Sequence, residues 1–201
     1  MRNHPIQVVN DPFQYRAIGI VRGTYLPTSE DKFTRGTLID SDGNHIESVV
    51  LGRVITLMRR HLSLNKEHLW VVYPRSRESK HLHFQISGIW EPSTLSEIKV
   101  LESISIEDNI PEGDDYFSIR GELIFTKPET NEIIIKIRQK PKTNVKKRQP
   151  FKLFINGSIP IENLRKFVSL DTRRIGQELF LEKYVTVGSL QNKSIKKSKK
   201  N

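Results

Sequence analysis

The chain has 201 residues, 36% apolar and 28% charged, with 33 Lys and Arg against 23 Asp and Glu and a net charge of +10. That length suffices for one large domain or two of about 90 residues each, and the absence of cysteine excludes disulfides, thiolate zinc sites and a thiol nucleophile. No run approaches the roughly 18 consecutive apolar residues of a membrane span, and the start, MRNHPIQVVNDPF, lacks the apolar stretch of a signal peptide, so a cytoplasmic protein is expected.

Ala17 to Leu26 and Thr34 to Asp40 read as strands, and Ser41-Asp42-Gly43-Asn44 then signals a hairpin into a third strand, His45 to Leu51. From Gly52 to Leu62 the period changes: Val54, Met58 and Leu62 recur every four residues, which predicts a helix with one apolar stripe facing a core. Leu69 to Tyr73 and Leu82 to Trp90 are two further strands. Residues 95 to 115 carry one Lys against seven Asp and Glu, and their Pro111, Gly113, Asp114 and Asp115 supply turn chemistry. We read 93 to 115 as an acidic linker between domains at 15 to 92 and 116 to 188.

In the second region Phe117, Ile119, Leu123 and Phe125 alternate with Tyr116, Ser118, Arg120 and Glu122, the pattern of a half-buried strand with the first set inward. Glu132 to Arg138 follows, with Ile133, Ile135 and Ile137 inward, then Phe151 to Ile155, with Phe151, Leu153 and Ile155 inward. Pro160 to Arg165 suits one helical turn. Phe167 to Thr172 and Glu178 to Val187 form a hairpin around Arg173, Arg174 and Gly176. The tail from residue 189 ends in NKSIKKSKKN, with five lysines, and is expected to be disordered.

Both regions order their elements alike: three strands, a helical or irregular connection, two strands. That order resembles the OB-fold, a small five-stranded Greek-key barrel that commonly binds oligonucleotides on its second and third strands. The fold class expected is therefore mainly β, with two OB-like barrels and one helix in the first. The stretches RGTLIDSDG, LGRV and HLWVVYPR also resemble a family of uncharacterised cyanobacterial proteins, a likeness that carries no activity with it.

Charge singles out the candidate site. Residues 1 to 94 hold 12 Lys and Arg against 9 acids, whereas residues 116 to 201 hold 20 against 7. Localised basicity of this kind favours a polyanionic partner. The connection RQKPKTNVKKRQPFK, residues 138 to 152, has seven Lys or Arg and no acid. On the OB analogy it joins strands two and three of the second barrel, where Lys140, Lys142, Lys146, Lys147 and Arg148 would neutralise successive phosphates. Arg120, Lys136, Arg138 and Lys152 fall at outward strand positions, as do the aromatics Tyr116, Phe154, Phe180 and Tyr184; cations that follow a phosphodiester backbone, interleaved with rings that stack on bases, suit sequence-tolerant single-strand binding. Arg173 and Arg174 extend the set at the last hairpin. In the first region Arg75, Arg77, Lys80 and His81 make a basic loop beside Trp70, Tyr73 and Trp90, and loops there border the OB groove.

Other chemistries find little support. His81 and His83 share a strand face, but no third or fourth ligand stands at telling spacing, so no metal is expected. Asp40, Asp42 and Asn44 echo the start of a calcium loop without its glycine and closing glutamate. No phosphate loop, nucleophile elbow or histidine-carboxylate motif is present, so neither an enzyme nor a cofactor is expected. Two readings remain. One is a non-catalytic protein that binds nucleic acid, RNA or single-stranded DNA rather than duplex, because no basic recognition helix is visible. The other is an adaptor that docks through Trp70, Tyr73 and the helix face of Arg53 and Arg60 onto a transcription, translation or RNA-processing complex.

Overall fold

The computed structural model describes residues 4–29, 32–77, 81–91, 110–139 and 149–190. Each predicted strand is present, and period-two alternation gives most of them one buried and one wetter face, whereas His68 to Val72 are buried on both. The first five are β1 (Arg16–Ser29), β2 (Lys32–Ile39), β3 (His45–Val50), β4 (His68–Ser76) and β5 (Leu82–Ile89), with the helix α1 (Gly52–His61) between β3 and β4. The second five are β6 (Tyr116–Lys127), β7 (Glu132–Ile137), β8 (Phe151–Asn156), β9 (Lys166–Ile175) and β10 (Glu178–Ser189). A single 3-10 turn, Ile161–Asn163, stands where the first set has its helix.

Strand order closes each set on itself. In the first, β2, β3, β5, β4 and β1 are successive neighbours and β1 returns to β2; in the second, β7, β8, β10, β9 and β6 repeat that order and β6 returns to β7. In both, the third and fifth strands run parallel while the other pairs are antiparallel. These are two OB-fold barrels. The β8–β10 pairing rests on one residue pair, Phe180 with Asn156, so the second barrel is partly open there.

Helix α1 begins without a side-chain cap and buries Val54 and Met58 in the core. Its last turn carries Arg59, Arg60 and His61, and positive charge there complements the helix dipole. Among the described residues, no helix is long and apolar enough to cross a membrane.

The barrels form one ten-stranded sheet, because the first strand of each pairs with that of the other: Arg16 to Gly19 of β1 lie antiparallel to Phe117 to Arg120 of β6. One hydrophobic cluster consequently runs through both, from Tyr25, Trp70 and Phe84 to Phe117, Ile135 and Leu170. The Phe84 and Phe117 rings stack across the seam at 5.8 Å. Gly19 is required at this crossing, since a Cβ on it would stand 2.1 Å from the Phe117 ring. Most of the acidic segment, residues 92 to 109, lies outside the described residues, but its end is anchored: Ile110 is buried and Asp114 pairs with Arg22 at 2.6 Å.

The last hairpin differs from the expectation. β9 continues through Ile175 and the turn comes at Gly176 and Gln177, so Arg173 and Arg174 are strand residues with opposite fates, not a turn tip. The Arg174 side chain is 2% exposed and is wedged between the barrels. It donates to Asp40 of the first barrel at 2.7 Å, to Asp115 at 2.7 Å and to the Gly176 carbonyl at 2.7 Å. Asp40 also accepts from the Asn44 amide, and these bonds hold its carboxyl below the usual range despite burial. Asp115 shifts the other way, because burial outweighs the attraction of Arg174.

Candidate nucleic-acid interface

Sequence alternation placed Arg120, Lys136, Arg138 and Lys152 on the outer surface of the second barrel, and the fold divides them into two groups. β7 turns Ile133, Ile135 and Ile137 into the core and Glu132, Ile134 and Lys136 outward; β8 buries Leu153 and Ile155 and turns Lys152, Phe154 and Asn156 outward. The register sets these outward residues in three cross-strand pairs, Lys136 with Lys152, Ile134 with Phe154, and Glu132 with Asn156. Lys152 is exposed, and Arg138 continues the cationic end beyond β7 with 54% of its side chain exposed.

Glu122 of β6 moderates that end, lying 3.9 Å from the Lys136 ammonium and 3.4 Å from the Arg138 guanidinium. Arg138 also lies 6.0 Å from the ring centroid of Tyr15, which is held edge-on to Phe167 at 5.0 Å. Two positive side chains sharing one carboxylate, itself 17% exposed, leave net positive charge on the surface.

The first barrel contributes from the side. Arg75 stacks over the Phe151 ring at 3.9 Å while donating to the Pro74 carbonyl and to Gln85. The Phe154 amide approaches the Ser76 hydroxyl at 3.5 Å. The β4–β5 hairpin thus flanks β8, and two basic segments far apart in sequence meet at one edge. Arg77, 58% exposed, pairs with Glu47 at 2.7 Å on that hairpin. Lys80 lies outside the described residues, as do Lys140, Lys142, Lys146, Lys147 and Arg148; the described chain stops at Gln139, two residues past β7, and resumes at Gln149.

Three predicted arginines are engaged elsewhere. Arg120 spends its donors on the Pro12 and Gln14 carbonyls and the Ser169 hydroxyl, clamping the segment before β1; burial lowers its pKa, as it does that of Arg16 opposite. Arg173 forms a two-pronged bond to Glu182 at 2.8 and 3.2 Å and donates to the Glu112 and Asp114 carbonyls. Arg174 is the buried wedge described above and cannot reach a phosphate.

The outward aromatics divide in the same way. Tyr116 donates to Asp171 at 2.7 Å and packs beside Ile20 and Leu69; burial and that bond raise its pKa. Tyr184 packs against the core and Phe180 is half-buried opposite Arg173. Phe154 remains on the β7–β8 face. Trp70 is fully buried with its indole N–H on the Gly23 carbonyl at 2.8 Å, which removes it as a docking residue.

Phe125 corrects the strand reading. A register shift between Leu123 and Phe125, a β-bulge, breaks the alternation and turns Phe125 outward, 39% exposed and opposite Ile134. No local signal marks the bulge, since Leu123 and Phe125 inward with Ile124 outward satisfies ordinary alternation, as Ile133, Ile134 and Ile135 do in β7. Phe125, Ile134 and Phe154, with Glu132, Asn156 and Glu178, line a groove at the far end of the face from Lys136 and Lys152. Among the described residues, no cluster of three His, Cys, Asp or Glu could hold a metal ion.

Comparison with known families agrees with this geometry. Residues 17–97 match the model of the N-terminal OB-fold domain of the PatR RNA-binding protein, and residues 119–188 match that of a C-terminal cyanobacterial OB-fold-like RNA-binding domain. No curated protein matches the chain.

Proposed function

The chain belongs to the cyanobacterial family of PatR RNA-binding proteins, and from that premise we propose that it is a non-catalytic RNA-binding protein whose grip lies on the β7–β8 face. The carrying observation is the cross-strand ladder that sets Lys136 and Lys152 beside Ile134 and Phe154 on the two strands an OB-fold uses for oligonucleotides. Phosphates would lie on Lys136, Lys152 and Arg138 and on the loop cations Lys140, Lys142, Lys146, Lys147 and Arg148, while a base stacks on Phe154. Arg75 orders Phe151 at the root of that loop, and Arg77 and Lys80 extend the track along the first barrel. Strands and rings of this kind suit unstacked bases, so single-stranded RNA is the preferred ligand and single-stranded DNA the weaker one. On this proposal the protein works in the cytoplasm and uses no cofactor or covalent step.

A mobility-shift titration on single-stranded RNA over a salt series tests it, with wild type beside a variant carrying Glu at 140, 142, 146, 147 and 148. The proposal expects binding that weakens steeply with salt and collapses in the variant, since each phosphate contact on a single strand contributes about 0.7 to the salt slope. Unchanged binding in the variant removes the loop from the site. Scant RNA binding by the wild type, with a protein partner retained after nuclease treatment, supports the adaptor instead.

A further inference from the structure

The β7–β8 face is graded along its length. Its cationic pair, Lys136 with Lys152, is followed by the apolar pair, Ile134 with Phe154, and then by Glu132 with Asn156. Same-face pairs are two residues apart, about 7 Å, so the cations stand roughly 13 Å from the Glu132 end. That span compares with the reach of a nucleotide from its phosphate to the far edge of its base. The groove at the apolar rung adds the Phe125 ring, which the bulge turns outward, and the Glu178 carboxylate of β10. Thr130 donates to one oxygen of Glu132 at 2.9 Å and so orients that carboxylate. Lys127 faces Glu132 across the β6–β7 pairing, which offsets some of its negative charge.

Resting on the RNA-binding reading, we infer that this groove selects the base, and that the base it selects is guanine. A carboxylate only accepts hydrogen bonds. Guanine presents two neighbouring donors, N1–H and the 2-amino group, which match the two oxygens of one carboxylate. Uracil presents a single N–H between two carbonyl oxygens, which would face the lone pairs of Glu132 and Glu178. Adenine and cytosine each offer one amino donor beside a ring nitrogen that accepts, a partner for the Asn156 amide but a poorer one for a carboxylate. Stacking on Phe154 and Phe125 accepts any base, so discrimination falls to the acids.

The test compares labelled twelve-nucleotide RNAs by fluorescence anisotropy: all uridine, and the same strand with guanosine or inosine at the centre. A good two-pronged contact to a base separates right from wrong by about five- to a hundredfold. The wild type is expected to bind the guanosine strand at least about fivefold more tightly than the uridine strand, and to lose most of that margin with inosine, which lacks the 2-amino group. The Glu132→Gln/Glu178→Gln variant, checked for an unchanged thermal midpoint, is expected to bind guanosine and uridine strands within about twofold of each other. Each substitution made alone, also at an unchanged midpoint, is expected to reduce the ratio. Salt-sensitive binding with no guanosine margin in the wild type, or a margin that survives the double substitution, overturns guanine selection and leaves the RNA reading standing. Absence of binding to all three strands overturns both.

Discussion

Replacing Arg174 with Met should loosen the join between the barrels more than any exposed arginine change could. The guanidinium is 2% exposed, and its partners Asp40 and Asp115 are 3% and 27% exposed. Methionine fills much of the volume but leaves two carboxylates facing each other with no cation between them. Breaking a buried ion pair in this way costs about 3–5 kcal/mol, because an uncompensated charge stays buried. For a chain of this size, with a shift of roughly 2–4 °C per kcal/mol, the midpoint should fall by about 6–20 °C. Circular dichroism melts and urea titration measure it, and the triple change Arg174→Met, Asp40→Asn, Asp115→Asn should recover most of the loss by removing the stranded charges. A single variant within about 1 kcal/mol of wild type, or a triple variant no better than the single one, would refute the wedge.

Two further outcomes follow from the same geometry. Glu122→Gln frees Lys136 and Arg138 from their shared carboxylate and should tighten RNA binding by at most about fivefold, the scale of an exposed ion pair; weaker binding in a filter assay would count against that role. The folded pKa of Asp40 is depressed, so the stability it contributes is present above its ordinary value of 3.8 and is lost as pH falls through the folded pKa. The stability gap between wild type and Asp40→Asn, read by urea titration, should be level above about pH 5 and narrow below 3.8; a gap that widens with acid contradicts the sign.

Strands and helix were legible because their signals are local. Period-two alternation in Glu132 to Arg138 and the four-residue recurrence of Val54, Met58 and Leu62 each depend on a few neighbouring residues. What sequence did not reveal is non-local. The β1–β6 pairing joins Arg16 with Arg120, and nothing near either residue announces it. An arginine at an outward strand position reads as solvent-facing, yet the exterior of the second barrel is partly covered: by the segment before β1 at Arg120, by residues 112 to 114 at Arg173, and by the first barrel at Arg174. Lys136, Arg138 and Lys152 keep accessible surface, although Glu122 pairs with the first two and the Tyr15 ring lies beside Arg138. Phe125 was misplaced for a different reason, since one inserted residue reverses every side chain beyond it.

The most direct test of the β7–β8 grip is the slope of log affinity against log salt for single-stranded RNA, in wild type and in Lys136→Ala/Arg138→Ala/Lys152→Ala. Loss of three phosphate contacts should make the slope shallower by about 2, with the melting midpoint held. Parallel slopes in the two proteins would mean that the phosphodiester lies on some other surface.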